Sequence, residues 1–178
     1  MIGTEYYAYL PNYKDGDNRI MKCNITNDNI LNSCIASGST AKQPTDIVFS
    51  PKTRFAYTIS YKDSKVDRCT VNIDGSLKDC INAGATSLNK PHKLYISKNG
   101  SSLYIANEGS SSVTQCKIYI DRTNSDGKLF DCKRYITLNL SNPTGVDSDS
   151  ENLGAYISQY NGLKFCSSQF FTESDVEK

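Results

Sequence analysis

The sequence has no tryptophan, one histidine and two methionines among its 178 residues. No apolar run reaches the roughly eighteen residues that a membrane-crossing helix needs, so no membrane span is expected. Charge of either sign is not in excess: twenty Lys plus Arg stand against nineteen Asp plus Glu. That balance leaves no long-range field to gather nucleic acid or an anionic membrane. With one His and no CxxC pair, no four-ligand zinc set can assemble, and no metal is expected. Gly-rich phosphate loops, a Ser-His-Asp arrangement and a basic stripe are also missing, so no cofactor is expected. Apolar spacing at three and four, the mark of an amphipathic helix, is absent throughout. The opening stretch MIGTEYYAYLPNYKD has neither the basic nor the apolar region of a signal peptide.

What the chain does have is repetition. PTDIVFSPKTRFAY (Pro44 to Tyr57), PHKLYISKNGSSLY (Pro91 to Tyr104) and PTGVDSDSENLGAY (Pro143 to Tyr156) each place Tyr thirteen residues after Pro. Each also carries an apolar residue three after Pro: Ile47, Leu94 and Val146. The unit continues to a pair of cysteines: Cys23 and Cys34, Cys69 and Cys80, Cys116 and Cys132. Repeats of about fifty residues, each with four short β-like runs, predict four-stranded antiparallel propeller blades. The units span approximately 5–43, 44–90, 91–142 and 143–170, in one domain over 1–178, followed by a polar tail at 171–178. In the second unit the strands are expected near 45–50, 55–60, 65–73 and 76–82. The third run of each unit alternates, placing Cys69, Val71 and Ile73 on one face, as it does Met21, Cys23 and Ile25, and Cys116, Ile118 and Ile120. Tyr57, Tyr104 and Tyr156 fall at equivalent places in the second strand.

The cysteines frame a hairpin. Asp74-Gly75 suits a two-residue turn with positive φ at both positions, and folding about it opposes Cys69 to Cys80. Cys23 and Cys34 oppose each other likewise about Asp28-Asn29, and a longer loop, YIDRTNSDGKL, separates the third pair. Counted out from such a turn, the pairs sit at hydrogen-bonded positions with Cα atoms about 5.5 Å apart. Two readings follow: cross-strand disulfides in an oxidising compartment, or reduced cysteines packed as small apolar residues. The first implies an extracytoplasmic or secreted location. Cys166 is the odd residue.

Taken together, the Pro-to-Tyr stretches and the C-x-V-x-x-DG-x-L-x-x-C pattern resemble YVTN-type β-propeller repeats, grouped with seven-bladed lactonase-like propellers. The resemblance covers residues 5 to 168. It implies about three to four blades in an open or incomplete ring. The first unit lacks an innermost strand and the last an outermost one. Unpaired strand edges and bare blade faces invite additions, so self-association, or a longer chain, is expected to complete the ring.

In this connectivity the loops entering each first strand share a face with those joining second to third strands. Lys42, Gln43, Lys90, His92 and Asn142 lie beside the prolines on that face, with Tyr13, Tyr61, Glu108 and Tyr160 from the other loops. Tyr13, Tyr61, Lys90, His92, Glu108 and Tyr160 form the expected binding face. Three functions are compatible. The first is a non-enzymatic scaffold that binds a protein or glycan partner through this face. The second is a lactonase-like hydrolase: PHKLYISKNGSSLYIANEGSSSV resembles the stretch of phosphogluconolactonase-like propellers in which a His after Pro precedes a strand and Asn-Glu ends the next. That resemblance implies His92 as proton shuttle and Glu108 as its partner or a substrate clamp. It departs from the pattern at Lys93, where those enzymes carry Arg beside the His. The third is a truncated propeller without independent activity. The run GVDSDSEN (145–152) lacks EF-hand spacing and is expected to be a polar strand end and turn, not a Ca²⁺ loop.

Overall fold

The computed structural model describes residues 6–14, 16–38, 42–121, 126–136, 139–148 and 154–167. Among the described residues, fourteen strands make four antiparallel sheets, each a meander in chain order. The first holds β1 (Tyr6–Pro11), β2 (Ile20–Ile25) and β3 (Leu31–Ala36). The second holds β4 (Pro44–Phe49), β5 (Phe55–Ser60), β6 (Lys65–Val71) and β7 (Leu77–Asn82). The third holds β8 (Pro91–Ile96), β9 (Ser102–Asn107), β10 (Ser112–Ile118) and β11 (Leu129–Tyr135). The fourth holds β12 (Pro143–Ser148), β13 (Gly154–Gln159) and β14 (Gly162–Ser167). The sheets follow one another as blades of an incomplete propeller. Among the described residues the one helical turn is the 3-10 turn Glu108–Ser110. Tyr57, Tyr104 and Tyr156 each stand third in their strand, as the repeat requires. Of the GVDSDSEN run, 145–148 belong to β12, while 149–152 lie outside the described residues, as does the tail at 171–178.

The core lies in the seams between blades. Ile20 packs with Ala56, Cys69 and Leu77 between the first and second. Tyr57, Ile59 and Val66 meet Leu94, Leu103, Ile105 and Cys116 between the second and third. Ala106, Val113 and Tyr135 meet Val146 and Ile157 in the last seam. A blade held between two others is covered on both faces. Residues of β6 that alternation assigns to an outer face, such as Arg68, are therefore buried as well. The alternation also stops sooner than the sequence suggests: Ile73 and Ile120 fall beyond β6 and β10 and are exposed.

The cysteine pairs are disulfides, Cys23–Cys34, Cys69–Cys80 and Cys116–Cys132. Their surroundings differ from the simple hairpin in two compensating ways. Asp74-Gly75 is not a two-residue turn: the ladder closes at Asn72 and Ser76, and Gly75 N–H bonds the Asn72 carbonyl across a three-residue loop. Gly75 has the positive φ (74°) that such a loop needs at its last position. The extra loop residue shifts the register by one. A β-bulge at Asp79 (φ 49°) shifts it back, and Cys80 again meets Cys69. Ser33 (φ 49°) and Asp131 (φ 48°) do the same in the neighbouring blades. The paired Cα atoms are consequently 4.0 Å apart, not the 5.5 Å of a regular hydrogen-bonded pair.

One contact recurs at the first two seams. Tyr9 Oη donates to the Gly75 carbonyl at 2.6 Å, and Tyr57 Oη donates to the Gly127 carbonyl at 2.9 Å. Beside them Lys22 Nζ donates to the Asp74 carbonyl and the Arg68 guanidinium to the Asp126 carbonyl. Each cation also covers an aromatic ring: Lys22 Nζ lies 3.7 Å from the Tyr7 centroid, and Arg68 Cζ 4.6 Å from that of Phe55. The Asp-Gly turn of each later blade is thus seated on an aromatic-x-Tyr strand and a cation of the blade before it. A Cβ on Gly75 would stand 2.7 Å from Tyr7 Cδ2, and one on Gly127 2.6 Å from Phe55 Cδ2.

Candidate functional site

The prolines that open β4, β8 and β12 share a local geometry. The residue before each is left-handed: Gln43 (φ 52°), Lys90 (φ 45°) and Asn142 (φ 45°). The register then slips between Pro44 and Asp46, between Pro91 and Lys93, and between Pro143 and Gly145. The extra residue in the second case is His92. Thr45 and Thr144 occupy the same place in their blades. Bulges of this kind re-aim a side chain at a sheet end, and they recur beside active sites. His92 Nδ1 is buried and makes no hydrogen bond among the described residues; Thr45 Oγ1 is in the same condition.

Backbone bonds stitch the two sets of loops into one rim. Tyr61 N–H bonds the Gln43 carbonyl, Glu108 N–H that of Lys90, and Tyr160 N–H that of Ser141, each at 3.2 Å. Lys90 N–H reaches Ser64 Oγ of the preceding blade at 3.1 Å, and Asn142 N–H reaches Ser111 Oγ at 3.3 Å. Tyr61, Glu108 and Tyr160 each directly follow the second strand of their blade and are equivalent positions.

Five of the six rim residues come together at the seam of the second and third blades. The Tyr61 ring stands edge-on to His92, centroids 6.4 Å apart, and edge-on to Tyr13 at 5.6 Å. Lys90 Nζ is 6.0 Å from the Tyr61 centroid. Glu108 lies close enough to bear on the Tyr61 phenol. Burial, and then the Glu108 charge, hold that phenol above its ordinary pKa. Tyr160, 84% exposed, stands outside this group. Lys93 faces elsewhere: its Nζ pairs with Asp46 at 2.8 Å across the seam, and the Leu94 N–H donates to the same carboxylate at 2.7 Å. Two recesses lie on the first blade, around Lys14–Arg19 and around Tyr6 and Asn29. Thr45 escaped the sequence reading, though the position after each repeated proline was the signal that could have found it.

Fold and rim define an incomplete β-propeller with a polar–aromatic cluster at a blade seam. The family model for lactonase, seven-bladed β-propeller, matches residues 16–129, and the chain belongs to that family. Among solved structures, the periplasmic gluconolactonase of Pseudomonas aeruginosa superposes with a TM-score of 0.66 at 15% identity, over 97% of this chain and 49% of its own. A gluconolactonase of Xanthomonas campestris gives 0.61 at 14%, over 84% and 44%. A chain of a nidogen–laminin complex gives 0.62 at 17%, over 89% and 55%. The chain thus spans about half the length of the structures it matches. No curated protein matches it.

Proposed function

We propose that the rim at the second seam belongs to a lactonase-like hydrolase acting on a sugar lactone. The observation that carries this reading is the bulged His92, whose buried Nδ1 has no hydrogen-bond partner among the described residues and whose ring abuts a tyrosine under the influence of the Glu108 charge. Membership of the lactonase family and likeness to two gluconolactonases support the substrate class. In the reaction, water adds to the lactone carbonyl carbon and the ring C–O bond breaks, giving a hydroxy acid whose proton is released. His92 takes the proton of the attacking water and returns it to the leaving ring oxygen. Glu108, whose charge reaches Tyr61 beside His92, serves as partner of His92 or as a clamp on the substrate. The test is proton release from gluconolactone by the chain, compared with His92→Gln and Glu108→Gln. His92→Gln is expected to lose at least about a hundredfold in rate. Equal rates in parent and His92→Gln would remove the reading.

A second reading, a non-enzymatic scaffold offering the rim to a protein or glycan, is favoured by the exposure of Tyr160 and of Tyr13, which is 50% exposed. Tyrosine is enriched at recognition surfaces. The nidogen–laminin likeness supplies a propeller found in a protein complex. Saturable binding of a glycan, lost in Tyr13→Ala and Tyr160→Ala and unchanged in His92→Gln, would favour it over catalysis.

A further inference from the structure

The rings at the rim continue beyond the histidine and its neighbour. Tyr61 stands edge-on to His92 at 6.4 Å and 88°, and Tyr13 stands edge-on to Tyr61 at 5.6 Å and 78°. His92 lies in β8, Tyr61 just after β5, and Tyr13 in the connection from β1 to β2. The three rings therefore form a row across three consecutive blades, with Tyr13 two ring spacings from His92. One sugar ring is about as wide as one tyrosine ring. A monosaccharide lactone lying against His92 and Tyr61 leaves Tyr13, which is 50% exposed, uncovered.

Tyr13 is carried by the longest of the four connections at this place in a blade. It runs over 12–19, against 61–64, 108–111 and 160–161 in the later blades. Its two ends are tied together. Asn12 N–H bonds the Arg19 carbonyl at 3.1 Å, and Asn12 Nδ2 donates to the Asp17 carboxylate at 2.7 Å. The Arg19 guanidinium donates to both oxygens of that carboxylate, at 2.8 and 2.7 Å. A single surface pair is weak, but these bonds act jointly on the stem beside Tyr13. A ring held by a braced stem loses little freedom when a ligand covers it. The same loop lines a recess of about 390 Å³ with Lys14, Gly16, Asp17, Asn18 and Arg19, whose polar side chains suit the hydroxyl groups of a sugar.

The ring angles select the shape of the ligand. A fused, flat molecule needs coplanar faces, and this row turns through nearly a right angle at each step. Two sugar rings joined by a rotatable glycosidic bond can take two such faces in turn. We propose that the lactone opened at this rim is that of a disaccharide, its oxidised ring beside His92 and its second sugar on Tyr13. Such a substrate presupposes the hydrolase reading of the rim and adds a length to it. Water adds at the lactone carbonyl and the ring C–O bond breaks, as before, while the glycosidic bond stays intact. The second sugar is held equally before and during the reaction, so it lowers KM and leaves kcat nearly as it is.

Proton release from cellobionolactone and from gluconolactone by the full chain tests it. KM for cellobionolactone is expected about fivefold to tenfold below that for gluconolactone, with similar kcat. Tyr13→Ala is expected to bring the two KM values together, and Tyr13→Phe, which keeps the ring, to hold them apart. Circular dichroism of both variants separates a lost subsite from a lost fold. Equal KM values in the parent, or a preference that survives Tyr13→Ala, would overturn the disaccharide and leave the hydrolase standing. If the parent opens neither lactone, hydrolase and disaccharide fall together.

Discussion

Gly75→Ala is the sharpest probe of how the blades are joined. Two costs add at this position. The residue sits at φ 74°, which an L-residue adopts at a cost of about 1–2 kcal/mol. Its new Cβ would also lie 2.7 and 2.8 Å from two ring atoms of Tyr7 and 2.8 Å from Tyr9 Oη. A rigid ring cannot yield by a few tenths of an ångström without moving the strand, so overpacking of about 1–3 kcal/mol is added. Gly16 separates the two contributions. It has φ 80° and nothing within 4 Å of an ideal Cβ, so Gly16→Ala carries the conformational cost alone. Urea unfolding followed by far-ultraviolet circular dichroism should place Gly75→Ala about 1–3 kcal/mol below Gly16→Ala. With a slope near 2 kcal/mol per molar urea, the midpoints differ by roughly 1 M. Tyr7→Ala should recover part of the loss in the Gly75→Ala background and none in Gly16→Ala. Equal losses in Gly75→Ala and Gly16→Ala would refute a turn seated on the neighbouring blade.

Four further outcomes follow from the same structure. Titration of the denatured, unreduced protein should find one thiol per chain, because three bridges take six of the seven cysteines; seven thiols would exclude them. Reduction should lower the urea midpoint, each bridge over its short loop being worth about 2–3 kcal/mol. Alkaline titration should show Tyr57, Tyr104, Tyr9 and Tyr61 ionising late, each held above the ordinary phenol value chiefly by burial. Their contribution to stability is therefore full below about pH 10 and lost as pH rises through the folded values, and a native protein whose twelve tyrosines all ionise together would contradict this. Asp46→Ala should cost about 2–4 kcal/mol in the same urea assay, since it leaves the buried Leu94 N–H without its acceptor and Lys93 without its partner. A loss under about 0.5 kcal/mol would mean that the seam is not closed by this pair.

The parts of this fold that the sequence made legible are those with a period. Proline, tyrosine and the cysteine pairs recur at fixed separations, and strand order, strand centres and bridge partners follow from them. The bulges at Ser33, Asp79 and Asp131 were not legible, because an extra loop residue and an extra strand residue cancel before the cysteines are reached. Ile73 reads as the next residue of an alternating strand, and only the three-residue loop removes it. The blade latch pairs Tyr9 with Gly75 and Tyr57 with Gly127, sixty-six and seventy residues apart, and no local pattern encodes such a distance. The rim residues could be assigned to one face from connectivity. That Tyr61 stands beside both His92 and Glu108, while Tyr160 stands outside their cluster, depends on the angle between blades.

That dependence connects the seam to the site. His92 sits between Pro91, which begins the strand, and Lys93 and Leu94, both held by the Asp46 carboxylate of the blade before. Tyr61, its aromatic neighbour, extends from that same preceding blade, while Glu108 belongs to its own. The group of His92, Tyr61 and Glu108 therefore straddles two blades, and its geometry is set by the second seam rather than by either sheet alone. The Tyr57–Gly127 and Arg68–Asp126 contacts close that seam at its outer end, and Asp46 closes it at the inner end. A bulge can aim an imidazole, but only the seam fixes what the imidazole faces. This is why the histidine of the third blade meets the tyrosine of the second, although Thr45 and Thr144 occupy the same bulge in their own blades.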